Sequence, residues 1–291
     1  MNKLNYARFF LAVAALPMNA KLIHSVDTCA PVADAKKPAV VIIKQWHLPP
    51  SVNTKTAAPG RAPLPQAKNQ KEIYEQLSAW VKSSSIDAVI AEGCEGEITP
   101  KFKDVFQGWS YADLDARKND KDYPAILSHA VVKLKVSYPD QVKALCGDSL
   151  NEIKKSQVAL SDSRADVGYF SKLSENQNNP AKLKPFMDGV IEAYKLKSDA
   201  TVLDAEKALA LDLKSSLTRF QDSTHERDLS FVRKVSLADS QKPVVIVIGG
   251  LHAQDLKQIL EDKKMNCVIA EPVSYQNDEE AMNSKLKSLV Q

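Results

Sequence analysis

Residues 244–256 read VVIVIGGLHAQDL. Five consecutive β-branched residues, Val244 to Ile248, stop at the pair Gly249–Gly250, and a helical pattern begins at once. A short, wholly apolar run bounded by glycine and followed directly by a helix is the strand–turn–helix step of a crossover unit, with its strand buried on both faces. His252 stands at that step.

The same form recurs upstream. In AVVIIKQWHLPP the apolar run Ala39 to Lys44 predicts a first strand, with His47 just past its end. IDAVIAE predicts a second strand ending at Glu92, QVKALCGDS a third ending near Asp148, and Asn266 to Ala270 a last one. Between them lie helical patterns: Ile73, Leu77, Trp80 and Val81 at i, i+4, i+7 and i+8, a stretch around YPAILSHAVVKL, and Ala253 to Glu261. This alternation specifies an α/β fold, a mostly parallel central sheet with flanking helices. Leu150 to about Leu237 is almost wholly helical, too long for one crossover, and reads as a helical insertion (150–237) before the last strands. The Pro-rich stretch 48–68 has no hydrophobic period, and its position after His47 suits a lid.

Lys3 and Arg8 precede the apolar segment Phe9–Leu16, and small and polar residues follow. That order predicts a signal peptide over 1–20 and a mature α/β domain over 21–291, exported to the periplasm or secreted. The segment is too short to span a bilayer, and no later run is long and uncharged enough, so no stable membrane insertion is expected. The formal charge is +3. Removing Lys3 and Arg8 leaves the chain nearly neutral, with no electrostatic case for a nucleic-acid partner. Cys29, Cys94, Cys146 and Cys267 contain no CxxC pair, which argues against a zinc knuckle or a thioredoxin-like motif. Up to two disulfides are expected, with Cys94 and Cys146, each near a strand end, as the preferred pair.

Ligands of open parallel sheets bind beyond the carboxyl ends of the strands. His47, Glu92, Asp148 and His252 all follow strands and therefore share one sheet edge. Two imidazoles and two carboxylates suit a divalent metal such as Mn²⁺, Co²⁺ or Zn²⁺, which would activate water beside a carboxylate base. Asp148 in GDSLNEI also suits a helix cap. IGGLH admits a phosphate-loop reading but lacks the GxGxxG and GxxxxGK[ST] patterns. HExxH and GxSxG are absent. In STHERDLSFVRKV the pair Ser223 and Glu226 forms a capping-box pattern that predicts a new helix start, with Leu229 and Val232 facing the core. Arg227 then falls in a first turn, where its charge opposes the helix dipole unless a carboxylate compensates.

Taken in order, these motifs resemble the TraB/TIKI/GumN families and the wider group that includes the erythromycin-esterase-like and ChaN-like proteins. GGLH, Gly249 to His252, matches the second GxxH of that pattern. Glu92 in DAVIAEGCEGE resembles its strand-end Glu, and Arg227 in HERDLSFV its Arg. Asp148 in ALCGDS stands where the family often has Glu. The likeness runs from about residue 39 to 272, with one departure: the first motif reads KQWH, with Lys44 in place of Gly. The resemblance implies an exported metal-dependent hydrolase, a peptidase in the TIKI-like case, acting on a peptide or small-molecule substrate. Glu92 and Arg227 would be catalytic, and His47, Glu92, Asp148 and His252 would hold the metal. The ChaN-like branch implies haem binding without catalysis instead. A degenerate, non-catalytic member is the third reading, with the Lys44 ammonium altering or occupying the pocket.

Overall fold

The computed structural model describes residues 16–30, 39–46, 65–98 and 130–276. Strand β2 (Val40–Gln45) is buried at every position, its apolar run Val40–Ile43 as a central strand of a parallel sheet should be, and its closing Lys44 and Gln45 with it. It pairs in parallel with β5 (Val244–Gly249), Val40 opposite Val244 and Gln45 opposite Gly249, and with β6 (Cys267–Pro272). β3 (Ala88–Ala91) runs parallel to β5 and to β4 (Lys143–Cys146). The six-stranded order is β1-β6-β2-β5-β3-β4. The protein is thus α/β with a mostly parallel sheet, and the sequence-predicted strands lie within one or two residues of their expected ends.

One strand has no counterpart in the sequence reading. β1 (Ile23–Thr28) pairs antiparallel with β6 at the sheet edge. Its IHSVDT sequence is mostly exposed and carries little apolar signal, because an edge strand has one flank and one face open to water. Asp27 and Lys257 form an ion pair at 2.8 Å on this edge, and the disulfide Cys29–Cys267 fastens its end to β6.

Alternation along the strands divides the core in two. Val41, Ile43, Val89, Val245 and Val247 pack with Ile73, Leu77, Trp80 and Val81 of helix α1 (Pro65–Lys82) and with Val131, Val132 and Leu134 of α2 (Ala130–Ser137). On the other face Val40, Ile42, Ile90, Val244, Ile246 and Ile248 pack with Phe231, Val232 and Val235 and with Leu256, Ile259 and Leu260 of α6 (Ala253–Asp262). Each such fully buried side chain contributes roughly 1.5–3 kcal/mol. Leu16 joins the first cluster, and Trp80 Nε1 and Gln76 Nε2 donate to the carbonyl of Pro17 at 3.2 and 3.3 Å. Residues of the expected leader therefore cover one end of α1.

Three helices come after β4: α3 (Leu150–Asn176), α4 (Pro180–Tyr194) and α5 (Val202–Leu237). Two compact units result. Residues 151–226 fall in a helical unit, and the sheet with residues 227–276 falls in the other. The helical unit has its own small core of Leu173, Met187, Val190, Ala205 and Leu209.

The expected helix start at Ser223 is corrected: α5 runs unbroken for 36 residues through that position. No Gly or Pro interrupts it, and Ser223 Oγ bonds back to the Phe220 carbonyl at 3.0 Å instead of capping a new turn. Arg227 consequently sits far from a helix N-terminus, and its charge meets no dipole penalty.

Gly147 sets the path of the chain beyond β4. A Cβ built there would lie 2.2 Å from the Phe231 ring, so only glycine lets the chain pass beneath that ring. Gly147→Ala is expected to cost about 1–3 kcal/mol in urea unfolding, and Phe231→Leu in the same chain is expected to restore part of the loss.

Candidate functional site

The residues after the parallel strands meet at the C-terminal sheet edge, and a guanidinium organises them. Arg227 Nε donates to Asp148 Oδ1 at 2.6 Å, and Nη2 donates to Asp148 Oδ2 at 3.2 Å and to Glu92 Oε1 at 2.7 Å. All three side chains are buried. Burial works against the guanidinium charge, but the charges and hydrogen bonds of Glu92 and Asp148 outweigh it and raise the Arg227 pKa further.

The second Glu92 oxygen is fixed by backbone and amide. Oε2 accepts the Gly249 N–H at 2.6 Å and Gln45 Nε2 at 3.3 Å. That answers the phosphate-loop reading of IGGLH, since the first glycine N–H is taken by the protein's own carboxylate. Gln45 Oε1 accepts from Gln70 Nε2 at 3.2 Å, and Gln70 Oε1 accepts the Ala130 N–H at 3.0 Å. A buried polar relay thus runs from Glu92 to the first turn of α2.

Asp148 Oδ2 also accepts the Gly93 N–H. Gly93 has φ +86°, a left-handed turn that favours glycine and lets its amide face the neighbouring strand end. The disulfide Cys94–Cys146, the pair expected from the sequence, joins this turn to β4. With both oxygens engaged by Arg227 and Gly93, Asp148 serves the site and not the helix after it.

His252 occupies the short 3₁₀ turn Gly250–His252 between β5 and α6. Its Nδ1 lies 2.8 Å from Asp228 Oδ1 and its Nε2 lies 3.5 Å from Glu92 Oε1. Burial alone would keep this ring neutral, but the Asp228 charge and hydrogen bond, followed by the Glu92 charge, raise its pKa above the usual histidine value. Burial also pushes the Asp228 carboxyl up to about 6, against the pull of His252.

Four of the sequence-predicted residues, Glu92, Asp148, Arg227 and His252, are therefore brought together. The fifth, His47, lies outside the described residues, as does most of the 48–68 loop. Asp228, Gln45 and Gln70 are additions that the sequence reading lacks. Asp228 has a faint signal, a carboxylate beside the candidate arginine, and Gln45 has another, a polar residue closing an apolar strand. Lys44 precedes Gln45 and points to the opposite sheet face, where its ammonium pairs with Glu271 Oε1 at 2.7 Å and stands 5.7 Å from the Tyr275 ring centre.

Among the described residues, no three or more His, Cys, Asp or Glu side chains are grouped to hold a metal ion. Arg227 holds the place between the two carboxylates that a cation would take, and His252 Nδ1 is committed to Asp228. These donors do not fit a metal by themselves. The chain matches no protein-family model, no curated protein and no solved structure.

Two outcomes are expected. Arg227→Met removes the guanidinium that bridges Glu92 and Asp148 and costs about 3–5 kcal/mol at neutral pH. Denaturant unfolding at neutral pH measures this loss. The Asp228–His252 pair holds protons in the folded state that the unfolded chain releases, Asp228 between its ordinary 3.8 and about 6, His252 from its ordinary 6.5 upward. Its stabilisation is thus complete at low pH and is lost as pH rises through the raised His252 value. In NMR titration of the five histidines, Asp228→Asn should move the His252 midpoint down and leave the others in place.

Proposed function

We propose that the protein is an exported hydrolase that works at this sheet edge. The observation that carries the reading is the Glu92 carboxylate held between Arg227 and His252, with Asp228 behind the imidazole. A carboxylate and an imidazole sharing one side of a site are the usual means of taking a proton from water and returning it to a leaving group. Arg227 Nη1 has no hydrogen-bond partner among the described residues, so a fixed N–H donor is available for negative charge developing on a substrate oxygen.

In this reading Glu92 and His252 move the proton, Arg227 stabilises the oxyanion, Asp148 orients Arg227, and Asp228 orients His252. The resemblance to TraB/TIKI/GumN proteins supports the same roles for Glu92 and Arg227 and favours a peptide or small-molecule substrate. The two disulfides fit an oxidising compartment outside the cytoplasm. No helix among the described residues is long and apolar enough to cross a membrane.

The metal dependence that the resemblance implies rests on His47, because the described donors fall short of three free ligands. Thermal-shift titration with Mn²⁺, Co²⁺ and Zn²⁺ beside His47→Ala and His252→Ala tests it. A stabilisation lost in both variants would establish a shared metal site. For the hydrolase reading, a panel of peptide and ester substrates should be turned over by the wild type. Glu92→Gln and His252→Gln should each lower kcat by about 10²-fold or more with the fold intact. Turnover that survives both substitutions would end the proposal.

A further inference from the structure

Within the helical unit a second, partly buried polar cluster lies apart from the candidate site. Tyr194 Oη of α4 is 2.8 Å from Asp166 Oδ1 of α3 and 2.9 Å from Asp212 Oδ2 of α5. Ser216 Oγ approaches Asp166 Oδ2 at 3.4 Å but gives its hydrogen to the Asp212 carbonyl at 2.7 Å. A phenol has one hydrogen, while two ionised carboxylates offer it only acceptors. One of these two short contacts would then join lone pair to lone pair at a partly buried site, which is unfavourable. The arrangement is consistent only if one carboxyl is neutral and donates its own hydrogen to Tyr194 Oη, while Tyr194 donates to the other.

Burial decides which. Asp166 is 3% exposed, whereas Asp212 is half-buried, so the neutral acid belongs to Asp166. Burial, with the Asp212 and Asp162 charges adding to it, holds the Asp166 carboxyl above the ordinary carboxylate value. The Tyr194 phenol is pushed up as well and keeps its hydrogen. Facing this cluster are Asp162 and Asp166 from α3, Tyr194 from α4, and Asp212 and Ser216 from α5. Asp162 is paired with Arg219 of α5 at 3.0 Å.

We propose that Asp166, Tyr194 and Asp212 form a one-proton lock on the helical unit, closed in acid and released as pH rises. The proton moves without other chemistry: Asp166 loses it to water, and two carboxylates are left competing for one phenolic hydrogen at the meeting of three helices. Because the folded-state pKa of Asp166 is raised, the lock's stabilisation is fully present below the unfolded aspartate value, about 3.9, and is lost as pH climbs through the raised one.

Amide hydrogen exchange on the full chain, corrected for the intrinsic pH dependence of exchange, tests the idea between about pH 4 and about pH 8. In the wild type, opening of 151–226 should increase with pH by up to about tenfold per unit within the window. Asp166→Asn supplies a permanent donor and should abolish that slope while keeping protection high at the alkaline end. Asp212→Asn should abolish it too, since a lone Asp166 carboxylate can then accept the Tyr194 hydrogen. An unchanged slope in either variant, or a wild type with no slope, would overturn the lock. Should Asp166→Asn fail to fold, that outcome also counts against it, because a neutral isostere fits only if the native acid is neutral.

Discussion

The guanidinium of Arg227, buried between Glu92 and Asp148, is the interaction on which the sheet edge depends. Two carboxylates so close together in low dielectric repel each other, and a cation between them offsets that repulsion. Arg227 meets that need with a fork geometry that Lys cannot reproduce. Holding it costs desolvation, which a run of short hydrogen bonds offsets.

Everything near the triad serves to hold it still. The Gly249 and Gly93 amides, the Gln45–Gln70 relay and the Asp228–His252 pair come from separate strands, turns and helices, yet each fixes one oxygen or nitrogen. Gly147 lets the chain slip under Phe231 so that Asp148 reaches Arg227, and the Cys94–Cys146 disulfide ties the Glu92 turn to β4. The helical unit repeats the theme in another form, with two aspartates and a tyrosine joined across three helices.

Much of the fold is legible in local pattern. β3, β4 and β5 are short apolar runs ended by Gly or Glu, β2 is one ended by Lys44 and Gln45, and α1 and α6 show a clear helical period. β1 escapes such a reading because its IHSVDT sequence lies on an open edge, where polar residues are tolerated. Ser223 misleads because a Ser-to-Glu spacing has the same form at a cap and within a continuing helix. Only the absence of Gly or Pro upstream separates the two cases.

The sequence by itself determined the α/β alternation and the placing of Glu92, Asp148 and His252 at strand ends, because both follow from hydrophobic period and from where glycines and charges interrupt it. It also determined that four widely spaced cysteines suit disulfides better than a zinc knuckle. The tertiary structure alone decided that Arg227 bridges Glu92 and Asp148, that Asp228 backs His252, and that Lys44 turns away to Glu271. Those are contacts between residues tens to more than two hundred positions apart. Their partners depend on sheet order, side-chain face and helix phase, and none of these is written in any local stretch.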